Sequence, residues 1–316
     1  MNKGGTDMKV LVTGGTNGMG KGVAKVLAGI DNQNHEIILL GRSKDLGEAT
    51  IRELESSTMN KKISFILCDL ARLGDVRNAI SEIKSKHKYL DCLFINAGLG
   101  YAANRVETED GMDSHFQVNY LSQFMLTLNL LSLLENSENG GRVIFNVTRG
   151  GKIFWEDIQM KNGWSFESGI HQAMVAKRMF LVKLHDLYKG INAPKVSFIG
   201  FEISKTVWSN QINIIPVPMK IMATVMKFLG TFISIEKCGM IMAPLFTESQ
   251  EESLKKSGRF VTWKKNEFIG MKEEETVFNP EFQEKLWKIS LELCNDETTA
   301  RISESLQSQN FPLQQH

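Results

Sequence analysis

Residues 9–13 read KVLVT and run directly into Gly14-Gly15-Thr16-Asn17-Gly18-Met19-Gly20, after which residues 20–30 carry helical spacing. A short apolar strand, a glycine-rich turn and a helix together open a βαβ unit. Glycines there permit a tight turn and let the backbone come close to a pyrophosphate. The helix start adds N–H donors and a partial positive charge. A glycine-rich string alone is a weak signal, and a turn without a ligand is the plain alternative. The strand before it and the helix after it give this one its weight.

The same alternation continues outward. Short β-rich runs fall at 36–40, 63–67, 93–95 and 142–147, with helical spacing at 45–58, 75–88 and 110–134 between them. A further helix over 171–188 leads to KVSFIGF at 195–201. Continuous apolar strands separated by amphipathic helices predict an α/β fold, a doubly wound parallel sheet (Rossmann fold) with helices on both faces. Beyond Ser204 the alternation weakens. Residues 204–235 are apolar and punctuated by proline, 236–246 resume a helical pattern, and SGRFVTW at 257–263 reads as a strand. Pro280 starts an amphipathic helix over 279–294. The expected organisation is one dinucleotide-binding domain over 1–316, with 204–258 as a substrate-side lid or extension and 302–316 as a tail.

Composition narrows the function classes. With 37 Lys+Arg against 36 Asp+Glu the net charge is +1, which excludes a nucleic-acid binder reliant on a basic field. The four cysteines lie far apart without a CxxC pair, which argues against a disulfide framework and suits a reducing, cytoplasmic setting. The first apolar run is too short for a signal peptide. The greasiest stretch, 212–235, is broken by Pro216, Pro218, Lys220 and Lys227. That argues against a membrane span and leaves contact with a membrane surface as the weaker reading. The histidines show no H-x-x-x-H spacing for a metal, and no G-x-S-x-G elbow marks a hydrolase.

Thr13 to Gly20 has the spacing T-G-x-x-x-G-x-G, and further motifs follow in order: Gly41-Arg42, Cys68-Asp69-Leu70, Asn96-Ala97-Gly98 and HFQVNYLSQFMLT at 115–127. Over residues 8–295 this resembles the short-chain dehydrogenase/reductase family. SGRFVTW and EKLWKISLELC are similar to its retinol dehydrogenase and light-dependent protochlorophyllide reductase branch. The resemblance implies a cofactor cradle of Thr13, Gly14, Thr16, Asn17, Gly18, Met19 and Gly20. It places Asp69 and Leu70 at the adenine, Asn96, Ala97 and Gly98 along the cleft, and Asn119 and Lys177 in the active site. Ile199-Gly200 stands where the family has Pro-Gly, in the segment that closes over the nicotinamide. Arg42 stands where the adenosine ribose is recognised. An arginine there favours a 2′-phosphate and hence NADPH, whereas a solvated strand-end arginine is the alternative. A homodimer through the fourth and fifth helices is also implied.

The catalytic helix departs from the family's Y-x-x-x-K. Lys177 fits the lysine, but the position four before it is Ala173, and no tyrosine lies between Tyr120 and Tyr188. Counting from Arg142 puts Thr148 at the family's serine, while counting from Asn146-Val147 puts Arg149 there; the spacing to Ala173 favours Thr148. Three readings follow. The first is an NADPH-dependent reductase of an activated C=C, C=N or carbonyl group in a small apolar substrate, with Tyr101 or His171 as proton donor. The second is a cofactor-binding scaffold without redox turnover. The third is a membrane-associated lipid or retinoid-type carbonyl reductase, against which the missing tyrosine counts. Phe154, Trp155 and Trp164 either line the substrate site or anchor a long loop. Met219, Met222 and Met226 recur at helical spacing as a lid or as ordinary packing.

Overall fold

The computed structural model describes residues 7–30, 34–189, 194–208, 212, 215–272 and 274–309. Seven strands run parallel in the main sheet: β1 (Lys9–Thr13), β2 (Glu36–Gly41), β3 (Ile63–Leu67), β4 (Cys92–Ile95), β5 (Gly141–Asn146), β6 (Val196–Glu202) and β9 (Arg259–Lys264). The spatial order is β10-β9-β6-β5-β4-β1-β2-β3, with β10 (Glu267–Gly270) antiparallel at one edge. Between β9 and β6 in the chain come a small pair, β7 (Thr206–Val207) and β8 (Phe232–Ile233). The order reverses between β1 and β4, and the crevice beyond the carboxyl ends of these strands is where such sheets bind ligands.

The helices are α1 (Gly18–Ala28), α2 (Lys44–Thr58), α3 (Leu73–Lys86), α4 (Ser114–Phe116), α5 (Ser122–Glu135), α6 (Phe166–Lys189), α7 (Val217–Phe228), α8 (Ile235–Thr247), α9 (Gln250–Lys256), α10 (Pro280–Cys294) and α11 (Glu297–Gln309). Successive strand residues point to opposite faces, so each strand feeds two cores. Leu11, Ile38, Leu93 and Ile95 pack beneath α3, α5 and α6. Val10, Val12, Leu39 and Phe94 pack on the other face with residues of α1 and α8. This two-sided burial matches the doubly wound sheet expected from the pattern.

The stretch expected as a lid, 204–258, divides in two. From Ile235 onward it belongs to the body: Cys238, Met242, Leu245 and Phe246 are buried. The backbones of α8 and α1 touch, since a Cβ on Gly22 would lie 2.2 Å from the Ile235 carbonyl oxygen. Before Ile235, among the described residues, β7 and β8 form a two-stranded sheet of their own, with Ile233 and Val207 packed on the body and α7 between them in the chain. The tail expected from 302 is instead helix as far as Gln309, with Ser303 and Leu306 buried. The rest of that expected tail, 310–316, lies outside the described residues.

α10 and α11 cover the α5/α6 face. Trp287 packs its ring against Phe124 at 5.2 Å and Phe180 at 5.8 Å, and its indole N–H donates to Ser303 Oγ at 2.7 Å. Tyr120 Oη and Ser290 Oγ lie 2.7 Å apart, and Asn129 Nδ2 donates to Thr299 Oγ1 at 2.8 Å. The chain's own C-terminal helices thus occupy the face through which the resemblance implied a homodimer.

Candidate active site

At the crevice, Gly14 and Gly18 take left-handed φ of +66° and +53°, a region that side chains disfavour. A Cβ on Gly20 would sit 2.4 Å from the Gly14 carbonyl oxygen, so the turn closes only with glycine there. Asn17 caps α1, its side chain accepting from Gly18 N at 2.8 Å. The loop is therefore a tight cradle whose open side is a helix N-terminus. Its glycines pack against Ala97, Leu39 and the loop's own backbone, and the tight turn they allow at a helix start suits a pyrophosphate.

Thr13 is fully buried. Its hydroxyl donates to the Phe94 carbonyl at 3.0 Å and accepts from Asn96 N at 2.9 Å and Ala97 N at 3.0 Å. It positions the 96–98 turn rather than offering its own oxygen to a ligand. Asn96 Nδ2 donates to the Thr13 carbonyl at 3.0 Å, tying the ends of β1 and β4 together. Thr16 lies against the end of β2, where a Cβ on Gly41 would meet it at 3.6 Å. Arg42 follows, exposed, and among the described residues no carboxylate pairs with it. Asp69 spends one carboxylate oxygen on Ala71 N at 3.0 Å, and the Leu70 carbonyl accepts from Ser122 Oγ at 2.6 Å, so both shape the turn after β3.

Asn119 sits in a five-residue π-helical segment, Gln117–Leu121, between α4 and α5. Such bulges gather at functional sites. Its amide is spent on the backbone of Leu99, accepting from the N–H at 2.6 Å and donating to the carbonyl at 3.3 Å. It holds the cleft turn in place.

Lys177 is fully buried in α6, and Nζ donates to the Asn146 carbonyl at the end of β5, 3.3 Å away. Desolvation pulls its ammonium down to about 7. Ala173, one turn earlier, is also fully buried, within the core beneath α6. Thr148 and Arg149 both lie exposed beyond β5, and Arg149 is committed to Glu202 at 2.7 Å. The structure thus leaves the Thr148 hydroxyl available and the Arg149 side chain engaged. Ile199-Gly200 lies inside β6 rather than after it, and a Cβ on Gly200 would strike the Phe260 ring at 2.3 Å. The Pro-Gly equivalence therefore fails: that glycine serves sheet packing.

Among the four tyrosines, Tyr120 is bonded to Ser290 and Tyr188 to Glu135, and burial raises both phenols far above their usual range. Tyr89 lies beneath Lys9, at the amino end of β1. Tyr101 is half-buried just after the 96–98 turn, its ring 5.3 Å from Phe166. His171 lines an open pocket of about 350 Å³ with Gly151, Lys152, Phe154, Ser165 and Ser168. Of the loop aromatics, Trp155 packs on Phe282 at 5.4 Å and Trp164 on His115 at 5.9 Å; both are anchors, whereas Phe154 lines that pocket.

Sequence reasoning missed a brace. Arg178 is fully buried, pairs with Glu274 and donates to the Gly150 carbonyl at 3.0 Å, while Glu274 accepts from Gly150 N at 3.0 Å. It fixes the loop that carries Thr148. Only a charged residue inside a buried helical face hinted at it, since Glu274 lies 96 positions away.

Residues 8–156 match the family model for short chain dehydrogenase, a stretch that ends before α6. Over 187 residues the chain is 30% identical to human polyprenol dehydrogenase, covering 57% of this chain and 56% of that protein. Over 183 residues it is 30% identical to mouse retinol dehydrogenase 11, with the same coverage of 57% and 56%. The chain thus spans about half the length of the curated relatives it matches. In fold it is similar to L-sorbose reductase of Gluconobacter frateurii, solved with NADPH and L-sorbose. The TM-score is 0.62 at 16% identity, over 83% of this chain and 97% of that one.

Proposed function

We propose that the chain, which matches the short chain dehydrogenase model over residues 8–156 and is similar to a polyprenol and a retinol dehydrogenase, is a member of that family and an NADPH-dependent reductase of a small apolar substrate that works without the family tyrosine. One observation supports the reading: the glycine cradle, Arg42 and the Asn146 carbonyl that holds Lys177 stand at the carboxyl ends of the parallel strands β1, β2 and β5. NADPH supplies a hydride when bound. Gly14, Gly18, Gly20 and the start of α1 hold the pyrophosphate, and Met19 follows in the first turn of the helix. Arg42 takes the 2′-phosphate as a charge-assisted contact. Asp69 and Leu70 border the adenine, and Asn96, Ala97 and Gly98 wall the cleft. Lys177, wedged against the Asn146 carbonyl, holds the nicotinamide ribose.

Ala173 has no proton to give, so the substrate is one whose reduction needs no phenol beside a carbonyl, an activated C=C or C=N bond first. Thr148 orients the substrate, and Tyr101 or His171 delivers the proton. Phe154 and the exposed Met219, Met222 and Met226 support an apolar substrate. The four free, buried cysteines go with a reducing, cytoplasmic setting. The full burial of Ala173 favours one rival, a cofactor-binding scaffold without turnover.

The test is an NADPH-oxidation screen with enones, imines and aldehydes. Turnover is expected, falling about a hundredfold or more in Tyr101→Phe or in His171→Ala, whichever is the donor. Cofactor binding with silence across the whole screen would decide for the scaffold.

A further inference from the structure

Three buried side chains stand four residues apart on the helical stretch that runs from α4 into α5: His115, Asn119 and Gln123. Side chains at that spacing share one face. All three are spent on the backbone that follows β4. Gln123 Nε2 donates to the Ala97 carbonyl at 2.7 Å, Asn119 holds both backbone polar groups of Leu99, and His115 Nε2 lies 2.9 Å from the Gly100 carbonyl. A carbonyl only accepts, so Nε2 carries the proton. His115 Nδ1 is buried and has no partner among the described residues. The residue that follows this ladder is Tyr101.

The His115 ring also meets what packs on Tyr101. It lies 5.9 Å from the Phe166 ring and 5.9 Å from the Trp164 ring, and Phe166 in turn lies 5.3 Å from the Tyr101 ring. Tyr101 is thus held through its backbone by the fixed Gly100 carbonyl and through its ring by Phe166. His115 touches both supports. Phe166 is the first residue of α6. At about 100° per residue, Phe166, Ala173 and Lys177 fall within roughly 40° of one another around that helix, whereas His171 lies about 120° or more from each. Tyr101 therefore leans on the side of α6 that carries Lys177, and His171 stands on another side.

We propose that His115 is a positioning residue: by fixing the Gly100 carbonyl and the Phe166 ring it aims the Tyr101 phenol into the crevice, which makes Tyr101 rather than His171 the proton donor. The inference rests on the reductase reading above. Within it, Tyr101 gives its Oη proton to the atom left electron-rich once NADPH has supplied the hydride, and water returns a proton to the phenolate. His115 exchanges no proton in this step, because its Nε2–H is held by a carbonyl. An imidazole suits the task. Its flat ring fills the space between Trp164 and Phe166 while its edge donates a hydrogen bond, and an aliphatic side chain could do only the first.

The experiment joins nitrogen-15 NMR of the histidines to steady-state kinetics with NADPH and the substrate that the screen returns. The spectra of the full chain at neutral pH should show His115 uncharged with its proton on Nε2. His115→Leu should lower kcat about ten- to a hundredfold, since a slip of about 1 Å in a reacting group is that costly, and leave KM for NADPH within about twofold. His115→Gln, whose amide keeps a donor for the Gly100 carbonyl, should recover most of the loss. In a Tyr101→Phe background His115→Leu should cost almost nothing more, because both act through one group. Phe166→Leu, at a half-buried site, removes the second support and should lower kcat in the same direction even if the buried His115→Leu unfolds the chain. The proposal is overturned by a proton on Nδ1, by turnover that survives Tyr101→Phe, by full turnover in a folded His115→Leu or in Phe166→Leu, or by a His115→Leu loss that adds fully to that of Tyr101→Phe. A wild type that binds NADPH and reduces nothing in the screen would sink the reductase reading itself, and the positioning role with it.

Discussion

Replacing Lys177 by methionine removes a buried ammonium and keeps most of the side-chain volume. In the folded chain this lysine titrates near 7, against 10.5 in the open chain, because burial disfavours its charge. Between those pH values the unfolded chain holds more protons, so stability rises with pH across the window. The destabilisation amounts to roughly 4 kcal/mol at pH 7 and about 2 kcal/mol at pH 9, and it fades above pH 10.5. Lys177→Met abolishes it at every pH, at the smaller cost of leaving the Asn146 carbonyl without its donor. Urea unfolding of both chains at pH 7, 8 and 9 is the assay. The wild type should gain about 2 kcal/mol more than the variant between pH 7 and pH 9. Groups that titrate alike in both chains cancel in that difference. Parallel stability curves would mean that Lys177 is solvated or partnered, and the buried-lysine argument would fail.

Other substitutions probe the rest of the site. Arg42→Asp should weaken NADPH binding by about ten- to a hundredfold and leave NADH affinity nearly unchanged, as read by fluorescence titration. An unaltered NADPH preference would refute the 2′-phosphate assignment. Glu274→Ala takes one carboxylate away from the buried Arg178, which keeps its bond to the Gly150 carbonyl, and should cost about 1–2 kcal/mol in thermal unfolding, with Glu274→Gln milder. Ala173→Tyr should add aldehyde reduction at an overpacking cost of about 2 kcal/mol. A folded variant with no such gain would show that this face of α6 does not meet the substrate.

The parts of this molecule that could be read from its sequence are those in which local pattern and tertiary demand agree. β1 and β2 are buried on both faces, so apolar runs marked them. The phosphate loop is legible because Gly14, Gly18 and Gly20 each answer a backbone constraint that only glycine meets. Gly200 shows the limit: it sits in mid-strand because Phe260 needs the space, a contact between β6 and β9 that no local pattern reports. α11 was equally hidden, since its sequence is polar and its helix rests on packing by Ser303 and Leu306 against neighbours far along the chain. The same packing filled the face expected to pair two copies. Trp155 and Trp164 could not be told from substrate-lining residues until Phe282 and His115 were found against them. The apolar character of 212–235 was plain, but its outward direction on α7 was not, because periodicity gives the faces of a helix without saying which one meets the core.

The central claim is that the crevice at Gly14–Gly20, Arg42 and Lys177 binds NADPH. Titration of the purified chain with NADPH, followed by tryptophan quenching and repeated on Gly20→Val, tests it most directly. Saturable binding by the wild type is predicted, with loss in Gly20→Val, whose side chain would collide with the Gly14 carbonyl. A wild-type chain that neither quenches nor gains thermal stability at millimolar NADPH would contradict it.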